Sequence, residues 1–294
     1  MNRDQNKTPL QLRLLAQLDI AAASGIAVCN GELCVLADDE LALARYDRAG
    51  VRTGTHVLLS GELPDDHKER KARKPDFEAL VALPDGSLLA LGSGSTAARR
   101  QGAWLRIEAR ATESKVIDLS ALYARLEREL PELNIEGGAV LHDVLFLCSR
   151  GNGPRRDNAL IRIDWPRLAR GLVNDGRASA EALLDIAAVQ LGALGAEPLS
   201  LTDLAVAAEQ LLFSATAEAT TSTYEDGPCV GSALGVISTS GAVVDLVAVT
   251  PLVKIEGLWA TTAGPALDLL LVADPDDRSA RAPLMAATYY PPGT

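Results

Sequence analysis

Positive charge, histidine and thiol pairs are scarce in this chain, and each shortage removes a class of function. The 28 Lys and Arg are outnumbered by 39 Asp and Glu, a formal charge of -11. Such a surface repels nucleic acid and anionic membranes, so neither is expected as a partner. Four Cys (Cys29, Cys34, Cys148, Cys229) show neither C-x-x-C spacing nor the density of a disulfide scaffold; buried, reduced thiols are expected. Only three His occur, in positions that give a Ser-His-Asp hydrolase little support. No apolar run approaches the ~18 residues of a membrane span, and Met1 to Pro9 is polar where an export signal needs an apolar stretch. These absences predict a soluble, cytoplasmic protein.

What is present is a repeat, found five times. Each copy opens on a short apolar strand with a polar residue near its start, as in Ser24-Gly25-Ile26-Ala27-Val28 and Glu136-Gly137-Gly138-Ala139-Val140. A turn follows, then a continuous apolar run such as Leu88-Leu89-Ala90-Leu91 that suits a strand buried on both faces. A third, more alternating strand comes next, and a fourth is visible at residues 53 to 59, 114 to 119, 181 to 186 and 243 to 249. The last copy stops after its third strand, but Leu12 to Leu18 precedes the first copy and can pair with Leu284 to Thr288. Four-stranded units closed end to end predict one all-β domain over residues 1–294, a five-bladed β-propeller with the N-terminal strand completing the last blade. Between strands, Ser120 to Leu130 has helical spacing and a Pro131 stop, and Trp165 to Leu172 and Ala187 to Leu194 have room for further short helices. The mixed-charge tract Glu62 to Lys74 reads as a solvated loop.

Innermost strands line a propeller's axis, so the repeat-opening residues form one layer around it. Four of the five are carboxylates: Glu78, Glu136, Asp203 and Glu256, with Ser24 completing the ring. Carboxylates converging in a tunnel raise one another's pKa and need protons, water or a cation to coexist. An all-oxygen set favours calcium over magnesium, and over zinc or copper, which want His or Cys. The alternative is a tunnel filled with water. Loops joining second to third strands carry Arg99, Arg100, Arg150, Arg155, Arg156, Arg278 and Arg281. These guanidiniums either hold a small anionic ligand beside the ring or pair with the Asp residues of the same loops.

At the ring the chain resembles the calcium-activated nucleotidases, the apyrases of animals. In that family a Ser and Glu ring, one residue per blade, holds an axial calcium ion. Ser24, Glu78, Glu136 and Glu256 match that pattern, as does the segment Lys254-Ile255-Glu256-Gly257-Leu258; Asp203 departs from it, because a Ser is expected there. The Glu-Gly-Leu opening is also similar to that of bacterial phytase-like esterase propellers. The resemblance implies a calcium-binding propeller that hydrolyses a phosphate or carboxylic ester. The competing expectation is a non-catalytic module that binds a protein or small ligand, with any calcium structural.

Overall fold

A computed structural model describes residues 7–107, 112–150, 157–219 and 227–292. Two short N-terminal strands, β1 (Leu10–Gln11) and β2 (Arg13–Gln17), precede five antiparallel sheets. Blade one holds β3 (Ala23–Cys29), β4 (Glu32–Ala37), β5 (Ala42–Tyr46) and β6 (Arg52–Val57). Blade two holds β7 (Phe77–Ala82), β8 (Leu88–Gly92), β9 (Gln101–Ile107) and β10 (Thr112–Asp118). Blade three is β11 (Ile135–Leu141), β12 (Val144–Arg150), β13 (Asn158–Asp164) and β14 (Leu183–Val189). The two-residue β15 (Ala193–Leu194) leads into blade four, β16 (Glu197–Ala207), β17 (Gln210–Glu218), β18 (Cys229–Ile237) and β19 (Val243–Thr250). Blade five is β20 (Lys254–Ala263), β21 (Ala266–Asp274) and β22 (Pro283–Tyr289), and β2 supplies its fourth strand. The fold is therefore an all-β, five-bladed propeller with four antiparallel strands per blade, closed by an N-terminal strand.

Closure takes two steps where the sequence predicted one. β1 first pairs in parallel with β19 at the outer edge of blade four, Leu10 opposite Val249, and Leu12 N–H donates to Thr250 O at 2.7 Å. The chain then crosses to blade five, where Arg13 stands opposite Ala286 and Gln17 opposite Pro283. The N-terminus thus straps the seam between blades four and five before closing the ring.

Apolar side chains form five clusters, one per seam between neighbouring blades. This is the geometry that continuous apolar strands require, because each sheet packs a neighbour on both faces. The cluster between blades five and one, around Leu18, Ile26, Val35 and Leu284, is the smallest of the five.

Among the described residues three α-helices sit on connections: α1 (His67–Arg73), α2 (Ser120–Leu126) and α3 (Trp165–Asp175). α1 corrects the reading of residues 62 to 74 as a loop. Asp66 caps it by accepting from Glu69 N–H at 2.9 Å, a standard N-cap arrangement. The helix expected over 187 to 194 is absent: residues 183 to 189 are strand β14 instead, because pairing to β13 overrides the helix preference of an Ala-rich run. No helix among the described residues is long and apolar enough to cross a membrane.

Candidate functional site

Every inner strand carries a register break near its start. The breaks fall between Ala23 and Gly25, Phe77 and Ala79, Ile135 and Gly137, Leu201 and Asp203, and Ile255 and Gly257. A bulge inserts one residue and re-aims its side chain, so the inserted residues are Ser24, Glu78, Glu136, Thr202 and Glu256. Blade four's equivalent position is thus a hydroxyl, Thr202, and the predicted Asp203 stands one residue further on.

Asp203 has a different job. Its carboxylate accepts from Leu204 N–H and Leu258 N–H, both at 2.7 Å, and also from the Gly138 amide. It therefore ties the inner strands of blades three, four and five together. Gly137 makes this approach feasible, since a Cβ there would collide with the Asp203 side chain. Burial pushes the Asp203 carboxyl well above its usual range, and the three N–H donors pull it back.

The other ring members sense one another. Burial, then Asp76, Asp38 and Glu136, push the half-buried Glu78 well above the ordinary carboxyl range, with Lys74 opposing. Burial also raises Glu256 to about 8; Lys254 and Arg150 pull it down, and Glu136 and Glu218 push it up. Ser24 Oγ donates to Phe77 O at 2.6 Å, bridging blades one and two. Thr202 shares a 2.9 Å hydrogen bond with Ser214.

Residues two positions before the bulge extend the site, because a strand returns to the same face every second residue. These are Asp76, Asn134, Ser200 and Lys254, with Ala22 in blade one. Asn134 donates to Glu136. Lys254 Nζ lies 3.4 Å from Glu256, 3.2 Å from Glu218 and 2.9 Å from Asp276. Arg150, at the end of β12, lies 3.0 Å from Glu136 and 3.4 Å from Glu218. Lys74 follows α1 directly and contacts both Asp38 and Asp76, the latter at 2.8 Å. Burial alone would lower its pKa, but Asp38, Asp76 and Glu78 raise it. The period-two pattern before each ring residue was the signal that would have revealed Asp76 and Lys254. Asp38 was marked only as one of the loop acids for the arginines to pair with, and no sequence signal marked Lys74 or Glu218.

The mouth is nonetheless acidic. Asp38, Asp76, Glu78, Glu136, Glu218, Glu256 and Asp276 face Lys74, Arg99, Arg150 and Lys254. Carboxylate oxygens of Asp38, Asp76 and Glu78 lie within 4.8 Å of one another, and Glu78 accepts no hydrogen bond among the described residues.

The predicted arginines divide. Arg99 binds Asp76 at 2.7 Å and Ser95 at 2.9 Å, and Arg150 joins the acidic mouth as above. Arg100 turns outward to Glu127 on the segment after α2. Arg278 reaches Asp39 at 2.7 Å on the side of blade one. Arg155 and Arg156 lie outside the described residues. Among the histidines, His56 is on the outer strand β6, near Arg45, and His142 lies in the turn between β11 and β12. Cys29, Cys34 and Cys148 are buried and unpaired as disulfides, and Cys229 is half-buried.

Among solved structures, the α-L-arabinofuranosidase PaAbf62A from Podospora anserina, determined with cellotriose, is similar over 96% of this chain and 97% of that one, at 10% identity and a TM-score of 0.52. The tail fiber of Staphylococcus aureus phage P68 matches 97% of this chain at 10% identity and a TM-score of 0.49, this chain spanning about half (53%) of that one. Virginiamycin B lyase from Staphylococcus aureus matches over 97% of this chain and 89% of that one, at 13% identity and a TM-score of 0.37. At these identities the likenesses concern the fold alone. No curated protein matches the chain. A family model does match, across residues 19–288 and hence all five blades, and the chain belongs to that family of unknown function, DUF6929.

Proposed function

We propose that this propeller binds a calcium ion at the acidic end of its axis and uses that site on an anionic ester. The observation that carries the reading is the excess of carboxylate over fixed cation at the mouth, centred on Glu78. The donor set suits the ion: the groups are carboxylate and hydroxyl oxygens, the hard ligands calcium prefers. Asp38, Asp76 and Glu78 are close enough to share one cation, with Glu136 the next carboxylate to Glu78 electrostatically. Lys74 would give up part of its hold on Asp38 and Asp76. When bound, the ion supplies Lewis-acid polarisation of an ester oxygen and a more acidic water.

The chain's own residues would do the rest. Glu78, whose carboxyl burial and the neighbouring Asp76, Asp38 and Glu136 raise, would give up its proton to ligate the ion, and so acts as a ligand rather than as the general acid or base. Arg99 and Arg150 lend guanidinium N–H groups to a phosphate or carboxylate by sharing them with Asp76 and Glu136.

A specific observation favours a second, non-catalytic reading. Lys74, Arg150 and Lys254 already stand among the acids as built-in cations, which would let the mouth serve as a structural junction. The discriminating experiment is calcium titration by calorimetry on wild-type protein and Glu78→Gln, followed by a turnover screen with nucleotides, sugar phosphates and p-nitrophenyl esters. Saturable binding lost in Glu78→Gln, with turnover of one ester class abolished by chelation, supports the enzyme. Binding without turnover supports the structural junction. Absence of binding refutes the calcium site.

A further inference from the structure

The seam between blades five and one encloses a cavity of about 360 Å³, within the usual range for small-molecule sites. It exists because the closing segment, held by Leu18 N–H to Ala282 O at 2.9 Å and Ala282 N–H to Ile20 O at 2.8 Å, stands off the outer half of blade one. The floor is small and aliphatic, made of Val35, Ala37, Ala42 and Ala44. The rim carries charge of both signs. A second cavity of about 160 Å³ shares Asp39, Arg70 and Arg278 with the first and continues it toward Lys74 and Asp38.

Two rim groups are under-used. Arg278 has five N–H donors, and one contact, to Asp39 at 2.7 Å, is its hydrogen bonding among the described residues. Glu40 accepts from Arg70 at 3.0 Å through one oxygen and leaves the other without a donor among the described residues. Burial and Asp39 raise the Glu40 carboxyl, while Arg70, Arg278 and Arg52 lower it. By contrast Arg52 is consumed locally: it binds Asp19 at 2.8 and 2.9 Å, Thr55 at 3.2 Å and the Tyr46 hydroxyl at 3.1 Å.

We infer that this cavity is a binding site for a small zwitterion, a free α-amino acid with an aliphatic side chain, its carboxylate on Arg278 and its ammonium on Glu40. The choice follows from elimination by charge. A simple anion would meet Asp19, Asp39 and Glu40; a simple cation would meet Arg52, Arg70 and Arg278. A neutral apolar molecule would cover both kinds of group without satisfying either, which costs desolvation free energy. A ligand with both charges, joined by a short apolar body, satisfies the rim with charge-assisted hydrogen bonds and the floor by burial. The second cavity joins this site to the axial mouth, but Arg278 and Glu40 are not among the groups proposed to hold calcium, so the inference stands whether or not calcium binds.

The test is calorimetric titration of calcium-free protein with alanine, valine and leucine, beside their amides, which lack the carboxylate, and their N-acetyl forms, which lack the ammonium. Saturable binding of an amino acid is expected, weakened about tenfold or more by either block, as loss of a charged hydrogen bond implies. Arg278→Gln should erase the difference between acid and amide, and Glu40→Gln that between free and acetylated amine. Both side chains are at the rim, and circular dichroism checks that each variant folds; if either does not, the blocked ligands on wild-type protein decide alone. No saturable binding up to ~10 mM, or equal binding of blocked and free forms, overturns the inference.

Discussion

The seam between blades three and four and the seam between blades five and one meet the same packing requirement with different material. The first is filled by Leu, Ile, Phe and Ala from both sheets, including the fully buried Leu201 and Phe213. It is then tied at the axis by Asp203, whose carboxylate reaches the backbone of blades three, four and five. The second has the smallest apolar cluster, a polar triad of Asp19, Arg52 and Tyr46, and a cavity. A ring closed by a strand from the far terminus packs less completely at its join, and the looser join is where space for a ligand remains. Rigidity and vacancy are thus separated around one ring.

The strongest way to break the contrast is to remove the closure. Deleting residues 1–20 takes away β1, β2 and Leu18, exposing β22 and the closing cluster as an unpaired edge. Loss of soluble monomer in size-exclusion chromatography is expected; an unchanged monomer with an unchanged melting temperature would show that the strap is dispensable. The next largest effect belongs to Asp203→Ala, which strands the backbone N–H donors of Leu204, Leu258 and Gly138 in the interior. Each unsatisfied donor costs roughly 1–3 kcal/mol, so a loss of about 3 kcal/mol or more is expected in urea unfolding. A loss under about 1 kcal/mol would mean that the clamp is redundant.

A smaller effect concerns pH. Glu256 is raised to about 8 and Asp274 to about 6, in each case chiefly by burial, so between about pH 4 and 8 these two groups bind more protons in the folded protein than in the unfolded chain. Their contribution to stability without calcium therefore falls as pH rises through that window. Glu256→Gln, which cannot ionise, should flatten the upper part of the slope; a chemical-denaturation series giving equal slopes for both proteins would remove Glu256 as its source.

The blade count, the strand order and the closing strand were legible because buried strands must be apolar and turns must interrupt them, and both leave marks in sequence. Four ring residues were legible for a related reason: a lone polar residue in an apolar opening stands out, and Ser24, Glu78, Glu136 and Glu256 do sit at bulges. Blade four misled because Thr202 and Asp203 are both polar and a bulge shifts register without any residue type announcing it. The second closure step was hidden for another reason, since Leu10–Gln11 is too short to carry a periodicity. Lys74 was missed because a charge run looks solvated until α1 folds and sets Lys74, just past its end, against Asp38 and Asp76. The cavity was invisible, since no local pattern records where two blades far apart in sequence fail to touch.

If the raised carboxylates of the mouth serve a cation, its binding releases protons. Calcium bound by Glu78 and its neighbours competes with protons there, because burial and crowding raise the Glu78 carboxyl and take that of Glu256 to about 8. Calorimetry at pH 7 in two buffers of different ionisation enthalpy should show calcium binding with net proton release, diminished in Glu78→Gln. Binding with the same apparent enthalpy in both buffers, or release unaltered by Glu78→Gln, would contradict the account.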